Sequence, residues 1–211
     1  MAYAIKEIYY TLQGEGHHVG RPAVFLRFSG CNLWNGLEED RTDAMCRFCD
    51  TDFLGVTGRA GGYYQDPQDL AAIVEQIWAA PGNRNRFVVC TGGEPMLQLN
   101  RGLIDALHGL HFEVAVETNG TIEPPAGIDW LTVSPKALSE LVVRKGDELK
   151  LVYPQAGILP ADYLAFDFDR FYLQPMDGDE IEINTSRAIE YCLDNPHWRL
   201  SIQTHKIIGI D

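Results

Sequence analysis

Six stretches of the chain are apolar runs that stop at a short polar or Gly/Pro turn. They are PAVFLRFSG at 22–30, RFVVCTGGEP at 86–95, FEVAVETNG at 112–120, DWLTVSPK at 129–136, ELKLVY at 148–153 and RFYLQPMDG at 170–178. Such runs predict strands buried on both faces, the habit of a parallel sheet. Helical spacing is scarcer. DPQDLAAIVEQIWAA at 66–80 has an Asp cap, a Pro at the first helical position and apolar residues three and four apart; LQLNRGLIDALHGL at 97–110 and NTSRAIEYCLDN at 184–195 repeat that spacing. The connections TIEPPAGI and YPQAGILPADYLAF are too rich in Pro and Gly for long crossover helices. About six parallel strands with about three helices predict an α/β fold, an open partial (β/α) barrel, whose active groups gather at the C-terminal strand ends. The last stretch, WRLSIQTHKIIGID, reads as a final strand whose end, Asp211, reaches that site. No repeat, linker or low-complexity segment divides the chain, so 1–211 reads as one domain.

Composition narrows the function classes. A chain of 211 residues, 45% hydrophobic, can bury a core without disulfides. Thirty acidic against seventeen basic residues give a net charge of -13, which repels a phosphate backbone or an anionic lipid surface and excludes direct nucleic-acid and membrane binding. The start, MAYAIKEIYYT, carries Lys6 and Glu7 where a secretory signal needs an apolar run, and the expected compartment is the cytoplasm.

Three of the five cysteines, Cys31, Cys46 and Cys49, lie in GCNLWNGLEEDRTDAMCRFCD. Their spacing admits two readings. A structural zinc site would take His17, His18 or His111 as a fourth ligand. Alternatively, three thiolates hold a 4Fe-4S cluster and leave one iron open to the amine and carboxylate of S-adenosylmethionine. The strand ending at Gly30 places Cys31 at a barrel mouth and favours the second. Cys90, within FVVC, and Cys192, beside Tyr191 and Leu193, read as core fillers.

The chain also resembles radical S-adenosylmethionine enzymes: TGGEP at 91–95 is similar to the Gly-Gly-Glu motif that receives the cofactor's methionine moiety, and Phe48 precedes the third cysteine where these enzymes place an aromatic residue. The fourteen residues between Cys31 and Cys46 depart from the usual spacing of three, and NLWNGLEEDRTDAM reads as an inserted loop within a cluster-binding segment at 31–49. YYTLQGEGHHVGRPAVFLRFSGCNLW, CDT, TGGEP, ETNG, SPK and QPMDG, in that order, resemble the 7-carboxy-7-deazaguanine synthase family over essentially the whole chain. That resemblance implies radical ring contraction of 6-carboxy-5,6,7,8-tetrahydropterin to 7-carboxy-7-deazaguanine with loss of ammonia, on the route to queuosine. Hydrogen is abstracted from the carbon bearing the carboxylate and later returned, so S-adenosylmethionine is regenerated.

The implied cofactors are a 4Fe-4S cluster on Cys31, Cys46 and Cys49, S-adenosylmethionine, and Mg2+ on Thr51. Phe48, Cys49, Asp50, Gly93, Ser134, Pro135, Lys136, Gln174, Pro175, Met176 and Asp177 match cofactor-binding positions, with Glu117 and Asn119 as weaker matches. Leu12, Gln13, Gly14, Arg27 and Thr91 match positions that bind the pterin, with Asp211 weaker. Arg27 also has its own argument: among Val24, Phe25, Leu26 and Phe28 a buried guanidinium needs an anion, which is a substrate carboxylate or an internal salt bridge. The implied partners are a reductant such as a flavodoxin, met by a basic patch at Arg41, Arg47 and Arg59, and a second copy in a homodimer. A radical activase of another protein and a non-catalytic zinc module are the competing classes.

Overall fold

The computed structural model describes residues 2–80, 82 and 85–210, so Asp211 lies outside the described residues. The strands are β1 (Tyr3–Leu12), β2 (Pro22–Phe28), β3 (Gly62–Tyr64), β4 (Arg86–Gly92), β5 (Phe112–Thr118), β6 (Trp130–Val133), β7 (Lys145–Tyr153), β8 (Asp167–Pro175) and β9 (Trp198–Leu200). They form one sheet in the order β3-β1-β2-β4-β5-β6-β7-β8-β9. From β2 to β9 every neighbour is parallel, and β1 joins antiparallel to β2 and β3. The edges β3 and β9 do not meet, so the sheet stays open, as the shortage of helices implied.

All six expected strands are present. The pattern missed β1, whose sequence YAIKEIYYTL interrupts its apolar positions with Lys6 and Glu7 because one face turns to polar groups. The expected terminal strand is corrected: only Trp198–Leu200 is extended, and a short helix, α4 (Thr204–Ile208), follows. The chain turns there because the Thr204 N–H and hydroxyl both bond to the Gly14 carbonyl, at 3.0 and 2.7 Å.

Three longer helices cover the outer face. In α1 (Pro67–Ile77) the Asp66 carboxylate accepts from the Gln68 N–H at 2.8 Å, as its cap pattern implied. The second, α2 (Arg101–Gly109), starts four residues later than its apolar spacing indicates, because Pro95–Leu97 forms a 3-10 turn and Asn100 caps the helix. The third is α3 (Ile181–Asp194). Alternation along β4 shows how the two faces differ: Val88 and Cys90 point into the large outer core with Leu70, Val74, Leu103 and Leu107, whereas Phe87 and Val89 point to a small inner cluster with Tyr9, Phe25 and Ala115. Burying Leu70 and Val74 from helix α1 contributes about 2 kcal/mol each. Cys90 is fully buried in that core and far from any ligand role. The inner face keeps too few apolar residues to close, and its upper part is a polar hollow. No described helix is long and apolar enough to cross a membrane.

Candidate active site

Parallel strands bring the ends of β2, β4, β5, β6 and β8 to one rim, around a cavity of about 360 Å³ bordered by Cys31, Cys46 and Cys49. The Gly92–Gly93 turn passes so close to β2 that a Cβ at Gly93 would lie 2.1 Å from the Gly30 carbonyl oxygen, and only glycine fits. Glu94 does not face the cavity. Fully buried, it accepts from the Met96 N–H at 2.9 Å, the Thr118 hydroxyl at 2.7 Å and the Asn119 N–H at 2.7 Å, locking the ends of β4 and β5 together. Burial pushes its carboxyl above the usual range.

The long cysteine loop has its own small core of Trp34, Ala44 and Phe53, on which Cys31 and Cys49 pack. Arg41 stacks 4.0 Å over Trp34, pairs with Glu38, and donates to the carbonyls of Arg47 and Cys49 at 2.9 and 3.0 Å. The guanidinium therefore holds the insertion against the C-x2-C pair; Arg47 and Arg59, the other members of the expected basic patch, are exposed. A hydrogen bond between Cys46 and Cys49 pushes the Cys49 thiol down to about 6 and the Cys46 thiol up. Lys136 donates to the Ser134 carbonyl and hydroxyl at 2.7 and 2.6 Å and lies 6.0 Å from the Phe48 ring; burial lowers its pKa.

The histidines of the zinc reading are elsewhere. His17 and His18 pack on Trp130, at 4.9 and 4.4 Å between ring centroids, and neither they nor His111 border the cavity. Cys31, Cys46 and Cys49 border the hollow without these histidines, and among the described residues no group of three His, Cys, Asp or Glu is placed to hold a metal ion, so the arrangement provides no closed tetrahedral zinc site.

Of the other sequence-derived positions, Leu12, Gln13, Gly14, Arg27, Phe48, Asp50, Thr51, Thr91, Gly93, Glu117, Asn119, Ser134, Lys136, Gln174, Pro175 and Asp177 all border this cavity. Pro135 and Met176 do not: their carbonyls accept from Gln155 at 3.3 Å and Asn184 at 3.0 Å, which fixes the turns that carry their neighbours. The anion beside Arg27 is Glu7, at 2.9 Å from Nε, and Nη2 donates to the Tyr9 hydroxyl at 2.7 Å. Arg27 thus has an internal salt bridge and still faces the cavity.

Glu117 keeps different company from its expected cofactor role. Gln13 donates to it at 3.2 Å and the Thr91 hydroxyl at 3.1 Å, both pterin-type positions. Lys150 lies 3.5 Å from Glu117 and pairs more tightly with Glu15. The terminal stretch expected to reach the site does so, through side chains that sequence reasoning did not single out. Gln203 donates to Glu15 at 3.0 Å and Asp50 at 3.2 Å, and Lys206 reaches both Asp50 and Asp177 at 2.5 Å. A Cβ on Gly14 would lie 2.1 Å from His205 Nδ1, so the glycine of TLQGEG admits this segment to the cavity wall.

No family model matches the chain. It is 60% identical to a 7-carboxy-7-deazaguanine synthase of Bradyrhizobium diazoefficiens over 210 residues, covering 100% of both chains. It is 57% identical to one of Caulobacter vibrioides over 210 residues, again covering 100% of each. Among solved structures, the crystal structure of QueE from Escherichia coli matches with a TM-score of 0.72 at 31% identity, over 97% of this chain and 95% of that one.

Proposed function

The chain belongs to the 7-carboxy-7-deazaguanine synthase family, and from that premise we propose how its cavity divides the work of the reaction. The enzyme is a radical S-adenosylmethionine lyase of queuosine biosynthesis that contracts 6-carboxy-5,6,7,8-tetrahydropterin to 7-carboxy-7-deazaguanine with loss of ammonia. One observation carries the assignment of residues: the three cysteines, the glycine turn after β4, the turns after β6 and β8 and the Gln13–Gly14 loop all border one cavity.

Cys31, Cys46 and Cys49 would hold the 4Fe-4S cluster. Bound there, the cluster and S-adenosylmethionine supply the electron and the hydrogen-abstracting radical. Gly93 would give the amino-acid end of the cofactor access to backbone, and Phe48, Asp50, Asn119, Ser134, Lys136 and the 174–177 turn would hold the rest of it. Pro135 and Met176 act by shaping those turns. Thr51 would give magnesium one hydroxyl, and water with substrate oxygens completes the shell of an ion that takes few protein ligands. On the other side, Leu12, Gln13, Gly14, Arg27 and Thr91 receive the pterin, and Glu117 joins them because Gln13 and Thr91 are its hydrogen-bond donors. A flavodoxin-like reductant approaches the cysteine loop, where Arg47 is exposed, with Arg59 exposed in the segment that follows it. A second copy pairs along the outer face, where Ile189 and Leu193, one turn apart on α3, are 42% and 78% exposed.

The test is anaerobic incubation of the iron-reconstituted protein with S-adenosylmethionine, reductant, magnesium and 6-carboxytetrahydropterin, read by mass spectrometry. A product lighter by ammonia, with little cofactor consumed, is the expected result. Release of 5'-deoxyadenosine without that product would leave radical chemistry and overturn the substrate.

A further inference from the structure

Three carboxylates gather round one buried ammonium on the pterin side of the cavity. The Lys150 side chain is 6% exposed, forms an ion pair with Glu15 and lies 3.5 Å from Glu117. Glu148, two residues before it and 2% exposed, accepts from the His17 N–H at 2.9 Å. These groups come from separate elements: Glu15 from the loop after β1, Glu117 from β5, Glu148 and Lys150 from β7. Glu15, Glu117 and Lys150 all border the cavity. A buried ion pair often adds little net stability over apolar residues of similar volume. Its position on the wall therefore asks for another reason.

We propose that Lys150 is a positioning residue for the substrate, fixing the Glu15 and Glu117 carboxylates as a pair of acceptors for the N–H edge of the reduced pterin. The inference rests on the pterin reading above. A tetrahydropterin presents its 2-amino group and ring N–H groups as adjacent donors, the complement of a carboxylate. Glu117 Oε1 accepts from Gln13 and Lys150, and Oε2 accepts from the Thr91 hydroxyl alone. A carboxylate has about four lone-pair sites, so Oε2 keeps one for a ligand.

Burial alone protonates such groups and turns acceptors into donors. The ammonium offsets it: Glu15 is held below the usual carboxylate range although desolvation opposes this, and Lys150 is pushed well up despite its own desolvation, first by Glu117, then by Glu15 and Glu148. Glu148 goes the other way, raised by burial. The remaining titratable groups facing the cluster are His205 from α4, Tyr9 from β1 and Lys136 beyond β6.

The sign of the effect follows. Without the ammonium, burial raises the Glu15 carboxyl, so it loses its charge as pH falls and substrate affinity falls with it. The experiment measures anaerobic equilibrium binding of 6-carboxytetrahydropterin, without reductant, for the unsubstituted protein, Lys150→Arg and Lys150→Met across about pH 6.5 to 9. Lys150→Met should bind about tenfold more weakly at about pH 6.5 and recover to within about threefold at about pH 9, with Lys150→Arg within about threefold throughout. An equal loss at every pH, the mark of a structural role, would overturn the proposal, as would unimpaired binding by Lys150→Met. Absence of binding by the unsubstituted protein would instead overturn the pterin reading itself.

Should Lys150→Met fail to fold, carboxyl resonances of 13C-glutamate in the unsubstituted protein decide. Glu15 remaining ionised down to about pH 5 supports the proposal; its protonation above about pH 6.5 overturns it.

Discussion

The two sides of the cavity are built in opposite ways. The cysteine side is made of turns at strand ends: Gly92–Gly93 pressed on β2, Ser134 to Lys136 after β6, and an inserted loop closed on itself by Arg41 and Trp34. The side proposed for the pterin is made of side chains from the strands and from the segments after β1 and β9, joined in one network through Gln13, Thr91, Glu117, Lys150, Glu15 and Gln203. A cofactor shared across a superfamily can be received by backbone geometry, which short contiguous motifs encode. A particular substrate needs donors and acceptors at fixed points, which residues far apart in sequence supply.

The largest effects should come from breaking the cysteine side. Each of Cys31→Ala, Cys46→Ala and Cys49→Ala should abolish turnover and lower bound iron, measured by product formation and iron and sulfide analysis; full activity in any one would remove that residue from the ligand set. Next is Glu94→Ala, which leaves the Thr118 hydroxyl and two N–H groups without their acceptor. It should cost about 3 kcal/mol in denaturant unfolding and loosen both strand ends that frame the cavity. Thr51→Ala is a finer cut on the cysteine side: the magnesium dependence of turnover should weaken while the visible absorption of the cluster is unchanged.

The smallest effect lies outside both sides. Burial against Trp130 and Phe87, with the Arg21 cation, lowers His18 to about 4. Its folded pKa is below the unfolded value of about 6.5, so the unfolded chain binds the extra proton between these values. Its contribution is fully present above about pH 6.5 and lost as pH falls toward 4. His18→Gln should flatten that part of the acid limb in urea unfolding without changing affinity for either ligand.

The unequal legibility of the two sides has a physical cause. Cys31, C-x2-C, TGGEP, SPK and QPMDG are readable because each places several groups on one turn, and parallel strands carry those turns to one rim. Glu15, Lys150, Gln203, His205 and Lys206 are not readable in that way, since they meet only through the sheet's register and the late turn at α4. Two signals were available: Glu117 in FEVAVETNG and Lys150 in ELKLVY are charged residues inside otherwise apolar strands, and a charge there needs a partner. The missed β1 has the same origin. Lys6 and Glu7 break its apolar pattern because Glu7 pairs with Arg27 and Lys6 with Asp52 at 2.7 Å. The extended reading of the last residues failed for a local reason, the capture of Thr204 by Gly14.

Glu117 is the residue on which the two sides are most easily confused, since it follows β4's turns in sequence order yet bonds to Gln13 and Thr91. The most direct measurement is therefore parallel anaerobic binding of S-adenosylmethionine and 6-carboxytetrahydropterin to cluster-loaded Glu117→Gln. Unchanged S-adenosylmethionine affinity with pterin affinity reduced about tenfold or more is the predicted result. Loss of S-adenosylmethionine affinity with pterin binding intact would contradict the division and return Glu117 to the cofactor side.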